Sequence, residues 1–247
     1  MLAVFCLRLA TGMLACLALL SAVQVNPRFF RTHFLTALGL TVLAAVFLRE
    51  SADLWLWLTL VAGAVLAFVG SMVWLLEGAP GGRVLMVLTT AALGTALLLT
   101  GRGREQAAGW VLADDLTSAA LLGAATTAML IGHSYLIAPA MSLTPLLRLL
   151  AVLAVATLLR MIVAGVGLWF WTNAPASGSL ETETMLWLPV RWLLGFVGPL
   201  GLGWMAWETA KIRSTQSATG ILYVVVILCF LGELTSQLLL GKTGVVL

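Results

Sequence analysis

Residues 54–76 read LWLWLTLVAGAVLAFVGSMVWLL, a stretch without one charged side chain, bounded by Asp53 before it and Glu77 after it. A helix needs about 20 mostly apolar residues to cross the ~30 Å hydrocarbon core of a bilayer. Backbone N–H and C=O groups in hydrocarbon must find partners within their own segment, so this stretch is predicted as a membrane-crossing helix and not a strand.

Seven more stretches of the same kind flank it: Ala3–Val25, Phe30–Leu48, Val84–Thr100, Val111–Pro139, Leu146–Trp171, Met185–Trp207 and Ser217–Leu240. The breaks carry turn chemistry. Asn26-Pro27-Arg28 makes the first, Arg49-Glu50-Ser51-Ala52-Asp53 the second, and Gly78-Ala79-Pro80-Gly81-Gly82 a tight turn. Gly101-Arg102-Gly103-Arg104-Glu105-Gln106 follows. Pro145 suits the first turn of the sixth helix, and Lys211-Ile212-Arg213 precedes the last. The expected fold is all-α: a polytopic bundle of about eight transmembrane helices, residues 1–247 forming one transmembrane domain with no extramembrane domain. Soluble chemistry would then belong to a partner.

Composition agrees. The 247 residues are 62% hydrophobic and 9% charged, with mean hydropathy +1.09. A soluble domain carries roughly 25% charged residues, so this chain cannot coat a water-facing surface. Disorder is excluded on the same ground. The net charge of +3 comes from basic residues scattered singly, which argues against nucleic-acid binding. Membrane lipid and other subunits of a membrane complex are the expected partners.

Arg8 sits inside the first apolar run and no small-residue cleavage triplet follows, so that run reads as a retained span, an uncleaved signal anchor being the nearest alternative. Cys6, Cys16 and Cys229 all lie in apolar runs and read as small buried hydrophobes. Eight spans put both termini on one side. The opposite side holds Arg28, Arg31, Arg83, Arg148, Lys211 and Arg213, against Arg49, Arg102, Arg104, Arg191 and Lys242 on the terminal side. The long break 172–184 has Glu181 and Glu183 and no basic residue. The positive-inside rule therefore places both termini outside the cytoplasm, in a bacterial inner membrane. The ten Trp residues cluster near the span ends, as interfacial anchors do.

Ionisable residues inside a span are costly and mark a function or an internal pair. Asp114 and Asp115 open the fifth span, adjacent and pointing apart. Arg191 opens the seventh. Arg160 lies about 18 Å along the sixth and Glu233 about 24 Å along the eighth, at 1.5 Å per residue. Because spans alternate in direction, all five belong to one half of the bilayer. The readings open are a structural polar cluster, a proton path, a quinone head-group site or a substrate site.

A second constellation belongs to the other half. His133, about 27 Å past Asp115, shares its level with His33, Tyr135 and Arg148 in the string Ile131-Gly132-His133-Ser134-Tyr135. Two histidines on different helices suit the two axial positions of a b-type haem. One histidine with Tyr and Arg suits a quinone, and capping or bridging between helices is the third reading. In the seventh span, Gly198-Pro199 predicts a hinge or tight small-residue packing. No HExxH or GxSxG motif points to a membrane-embedded enzyme.

Eight spans, an outside N-terminus and the Gly232-Glu233 pair in the last span resemble the membrane-anchor subunits of the dimethyl sulfoxide reductase and polysulfide reductase families. The Arg that follows the pair in those families has no counterpart among Gln237 and its neighbours. The resemblance implies a quinone-interacting anchor, without its own catalytic centre, that passes electrons to an iron–sulfur partner, with Glu233 as a polar residue of its internal cavity. A small-solute or ion transporter, and a purely structural subunit, are the alternatives from other classes.

Overall fold

A computed structural model describes residues 1–22, 24–76, 81–102, 106–138, 140–173 and 182–247. Gly78-Ala79-Pro80, Gly103-Arg104-Glu105, Pro139 and Glu181 lie outside the described residues. The helices are α1 (Leu2–Leu17), α2 (Pro27–Leu48), α3 (Leu54–Val73), α4 (Gly82–Thr100), α5 (Ala108–Ile137), α6 (Thr144–Thr172), α7 (Thr182–Trp192), α8 (Gly198–Lys211) and α9 (Thr215–Thr243). A π-helical turn, Leu193–Val197, joins α7 to α8, so the two run on as the seventh span. The described residues contain no strand. Seven helical runs are long and apolar enough to cross a membrane, and the chain is a multi-pass, all-α membrane protein.

Local chemistry sets the ends. The Asn26 side chain accepts from the Arg28 N–H at 2.9 Å and Pro27 opens α2, so this break starts the helix itself. Asp53 caps α3 by accepting from the Leu56 N–H at 2.8 Å. Gly81 precedes α4 with φ +96, a left-handed conformation that favours glycine. Gly244 ends α9 the same way at φ +69, its N–H reaching the Leu240 carbonyl.

The first span is shorter than expected. Its helix stops at Leu17, and Ala18, Leu19 and Leu20 close successive turns onto the carbonyls three residues back. The 16 residues of α1 give only about 24 Å of rise. Non-helical backbone is tolerated at membrane depth where protein surrounds it, and Leu20 and Val25 beyond the helix are buried.

Two rings of four share one seam. In the first, α1 packs on α2, α2 on α3, α3 on α4, and α4 returns to α1; in the second, α5, α6, α8 and α9 close in the same way. The seam is α1 against α5. There Gly12 and Gly123 meet so closely that a Cβ on Gly12 would strike the Ala119 carbonyl and one on Gly123 the Gly12 backbone. Without a hydrophobic drive between helices in lipid, such small-residue crossings carry the packing. Trp55, Trp169 and Trp204 face outward, as interfacial anchors would, while Trp74 stacks on Phe30 at 4.3 Å between centroids.

Gly12→Ala should cost about 1–3 kcal/mol by overpacking against backbone. Gly39→Ala, whose Cβ would meet nothing within 4 Å inside α2, should hold or raise stability, since alanine is the better helix former. Thermal unfolding in detergent reads the difference.

Candidate functional site: a buried ion cluster and a histidine-lined cavity

Every charged residue foreseen inside the spans ends up in one cluster, together with Arg8. Asp114 and Asp115 come from α5, Arg160 from α6, Arg191 from α7 and Glu233 from α9, all essentially without solvent exposure. The α1–α5 seam delivers Arg8 to the centre. Its guanidinium pairs with Asp114, with Asp115 at 2.6 Å, and stands 3.8 Å from Glu233. Asp114 and Asp115 therefore do not point apart: both converge on Arg8, because the side chain of Arg8 is long enough to fork between neighbouring positions on the helix face.

Arg160 bridges the two carboxylate sources. Its Nη1 donates to Asp114 at 2.5 Å, its Nε to Glu233 at 2.9 Å, and its Nη2 to Glu233 and the Ser236 hydroxyl at 3.2 Å each. Ser118 donates to Glu233 and accepts from Arg8 at 3.3 Å. Arg191 approaches from the far side. Its Nη2 lies 3.1 Å from Glu233, its Nε donates to the Leu247 carbonyl at 3.2 Å, and its guanidinium sits over the Phe196 ring. Among the described residues the cluster holds three guanidiniums and three carboxylates, which is why charge survives at this depth.

The Gly232-Glu233 pair gains a physical meaning here. Gly232 meets Gly195 of the π-helical turn nearly backbone to backbone, and a Cβ on Gly232 would lie 3.2 Å from Arg191 Nη1. The missing side chain lets the seventh span approach α9 and gives Arg191 room to reach Glu233. Around Pro199 the seventh span stays helical: the Gly198 N–H reaches back to the Leu193 carbonyl, the wider π pattern. A Cβ on Gly198 would lie 2.7 Å from Leu228, so the geometry seen at Gly198 and Pro199 is tight packing within an uninterrupted helix.

In the other half, His33 and His133 line one cavity of about 290 Å³ together with Arg28, Phe29, Thr32 and Ser134. His33 is wholly buried. Its Nδ1 is 3.0 Å from the Phe29 carbonyl, an oxygen that can only accept, so Nδ1 carries the proton. In the neutral ring Nε2 then presents a lone pair, and it has no partner. His133 is exposed.

Tyr135 and Arg148 do not join them. Tyr135 stands two residues past His133, about 200° around the helix, and its hydroxyl donates to the Ser142 carbonyl at 2.5 Å to close the α5–α6 turn. Arg148 lies exposed on α6, which packs on the other side of α5. A cavity at the small end of the ~300–1,000 Å³ range of ligand pockets has room for a single ring, and a tetrapyrrole between His33 and His133, one of the three readings open at this level, is larger than it. No group of three or more metal-ligating side chains occurs among the described residues.

Sequence reading missed Arg8, Ser118, Ser236 and the Leu247 carbonyl. The signal for Arg8 was present: a cation about one and a half turns into a span that begins on the same side as Asp114. No sequence signal foretells the carbonyl. No protein-family model, curated protein or solved structure matches the chain.

Replacing Arg160 or Glu233 alone by Leu should cost about 3–5 kcal/mol, since each leaves a buried counter-charge. The double replacement keeps the cluster balanced and should cost clearly less than the sum, as thermal unfolding of the four proteins would show. Tyr135→Phe should cost about 1 kcal/mol by loss of one hydrogen bond, read by the same thermal unfolding.

Proposed function

We propose that this chain is a quinone-interacting subunit of an electron-transfer complex in a bacterial inner membrane, with both termini non-cytoplasmic and no redox centre of its own. The observation that carries the reading is the buried, unpartnered Nε2 of His33, a residue in the wall of a cavity sized for one ring. A lone pair accepts, so the ring it suits is the hydroxyl-bearing quinol, not the carbonyl-bearing quinone. Oxidation of a quinol releases two protons and two electrons. His33 Nε2 takes the proton of the hydroxyl it meets, the second hydroxyl gives its proton to solvent at the side of the cavity where His133 is exposed, the Phe29 carbonyl holds the His33 ring in the tautomer that leaves Nε2 free, and both electrons leave to a redox centre of a partner subunit.

The test is equilibrium binding of a short-chain ubiquinol to the purified chain, followed by tryptophan fluorescence. His33→Leu should weaken binding at least tenfold. Equal binding by the variant, or purification from native membranes with neither quinone nor a redox subunit, would end the reading. A second reading, ion or solute transport, draws on the π-helical turn beside the buried charges, since such turns gather at functional sites. A flux assay of the reconstituted protein against Glu233→Gln separates the two.

A further inference from the structure

The ion cluster is not closed on every side. A cavity of about 320 Å³ lies at the face where α1 begins, lined by Met1, Val4, Arg8, Thr100, Gln237 and Leu240. Arg8 forms its inner wall and is itself a member of the cluster. Gln237 stands one helical turn beyond Glu233 on the same face of α9. Its side chain is 6% exposed, yet neither its amide nitrogen nor its amide oxygen has a partner.

A buried carboxamide without partners is costly, and buried polar groups are as a rule satisfied by protein or ordered water. This one offers donors and an acceptor, the pattern that water matches. The cavity has room for about ten molecules at ~30 Å³ each. The Arg8 wall cannot be lined with hydrocarbon at low cost.

We propose that this cavity is an aqueous inlet that brings water from the face where α1 begins to the Arg8–Asp114–Asp115–Glu233 cluster. Water enters past Val4 and Leu240, is held by the Gln237 amide, and ends at Arg8. The His33 cavity opens in the opposite half of the molecule, so the inlet stands independently of the quinol reading.

Charged, membrane-impermeant thiol reagents test it, since they react only where water reaches. Gln237→Cys and Val4→Cys are made in the full chain and compared with the unsubstituted protein, whose Cys6, Cys16 and Cys229 are buried. Reagent is applied to either side of sealed vesicles. Gln24→Cys reports the opposite face and Val224→Cys the lipid surface. Both inlet cysteines should react at least a hundredfold faster from the side opposite that which labels Gln24→Cys, and Val224→Cys should not react. Absence of labelling from both sides would mean a dry or lipid-filled cavity, and labelling from the Gln24 side would mean an inlet at the wrong face; either overturns the proposal. Val4→Cys serves if Gln237→Cys does not fold.

Discussion

A guanidinium inside hydrocarbon has no solvent to fall back on, and Arg8 is the clearest case in this protein. It sits on α1, a helix of only 16 residues, in the α1–α5 seam, with two aspartates and a glutamate around it. The seam must be tight for those side chains to meet, hence Gly12 against Gly123. The same demand recurs at Gly195 and Gly232, where backbone contact lets Arg191 reach Glu233. Charge burial and glycine packing are one constraint seen from two directions: short-range ion pairs need helices closer than ordinary side chains allow.

That constraint also divides the molecule. The half holding the cluster is polar within and cross-linked between α1, α5, α6, α7 and α9. The half holding His33 and His133 has no such buried ion pairs among the described residues: the two histidines line a cavity and Tyr135 ties off a turn. An ionic cross-link thus sits at one level of the bundle and a ring-sized cavity at the other.

Legibility differed between the two layers for a physical reason. Depth is a one-dimensional quantity: it follows from residue count and helix rise, so Asp114, Asp115, Arg160, Arg191 and Glu233 could all be assigned to one half. Azimuth is not, because it depends on which face of each helix its neighbours cover. His133 and Tyr135 share a depth and separate by about 200° around α5, one lining the cavity and the other tying off a turn. Arg148 shares the level and lies across α5 on another helix. The adjacency of Asp114 and Asp115 misled for the converse reason, since a long arginine from α1 spans the angle between them.

From the sequence alone came the class, the helices and most of their boundaries, and the level of every buried charge in the cluster but Arg8, because apolar run length and helical rise are local properties. Tertiary structure decided the rest. It chose which helices share the α1–α5 seam and drew Arg8 into the cluster. It ended the first helix at Leu17, wrapped the Leu247 carbonyl onto Arg191, and left the Gln237 amide buried without a partner beside a cavity. Each of these depends on distances between segments far apart in the chain, and no local pattern of residues encodes such distances.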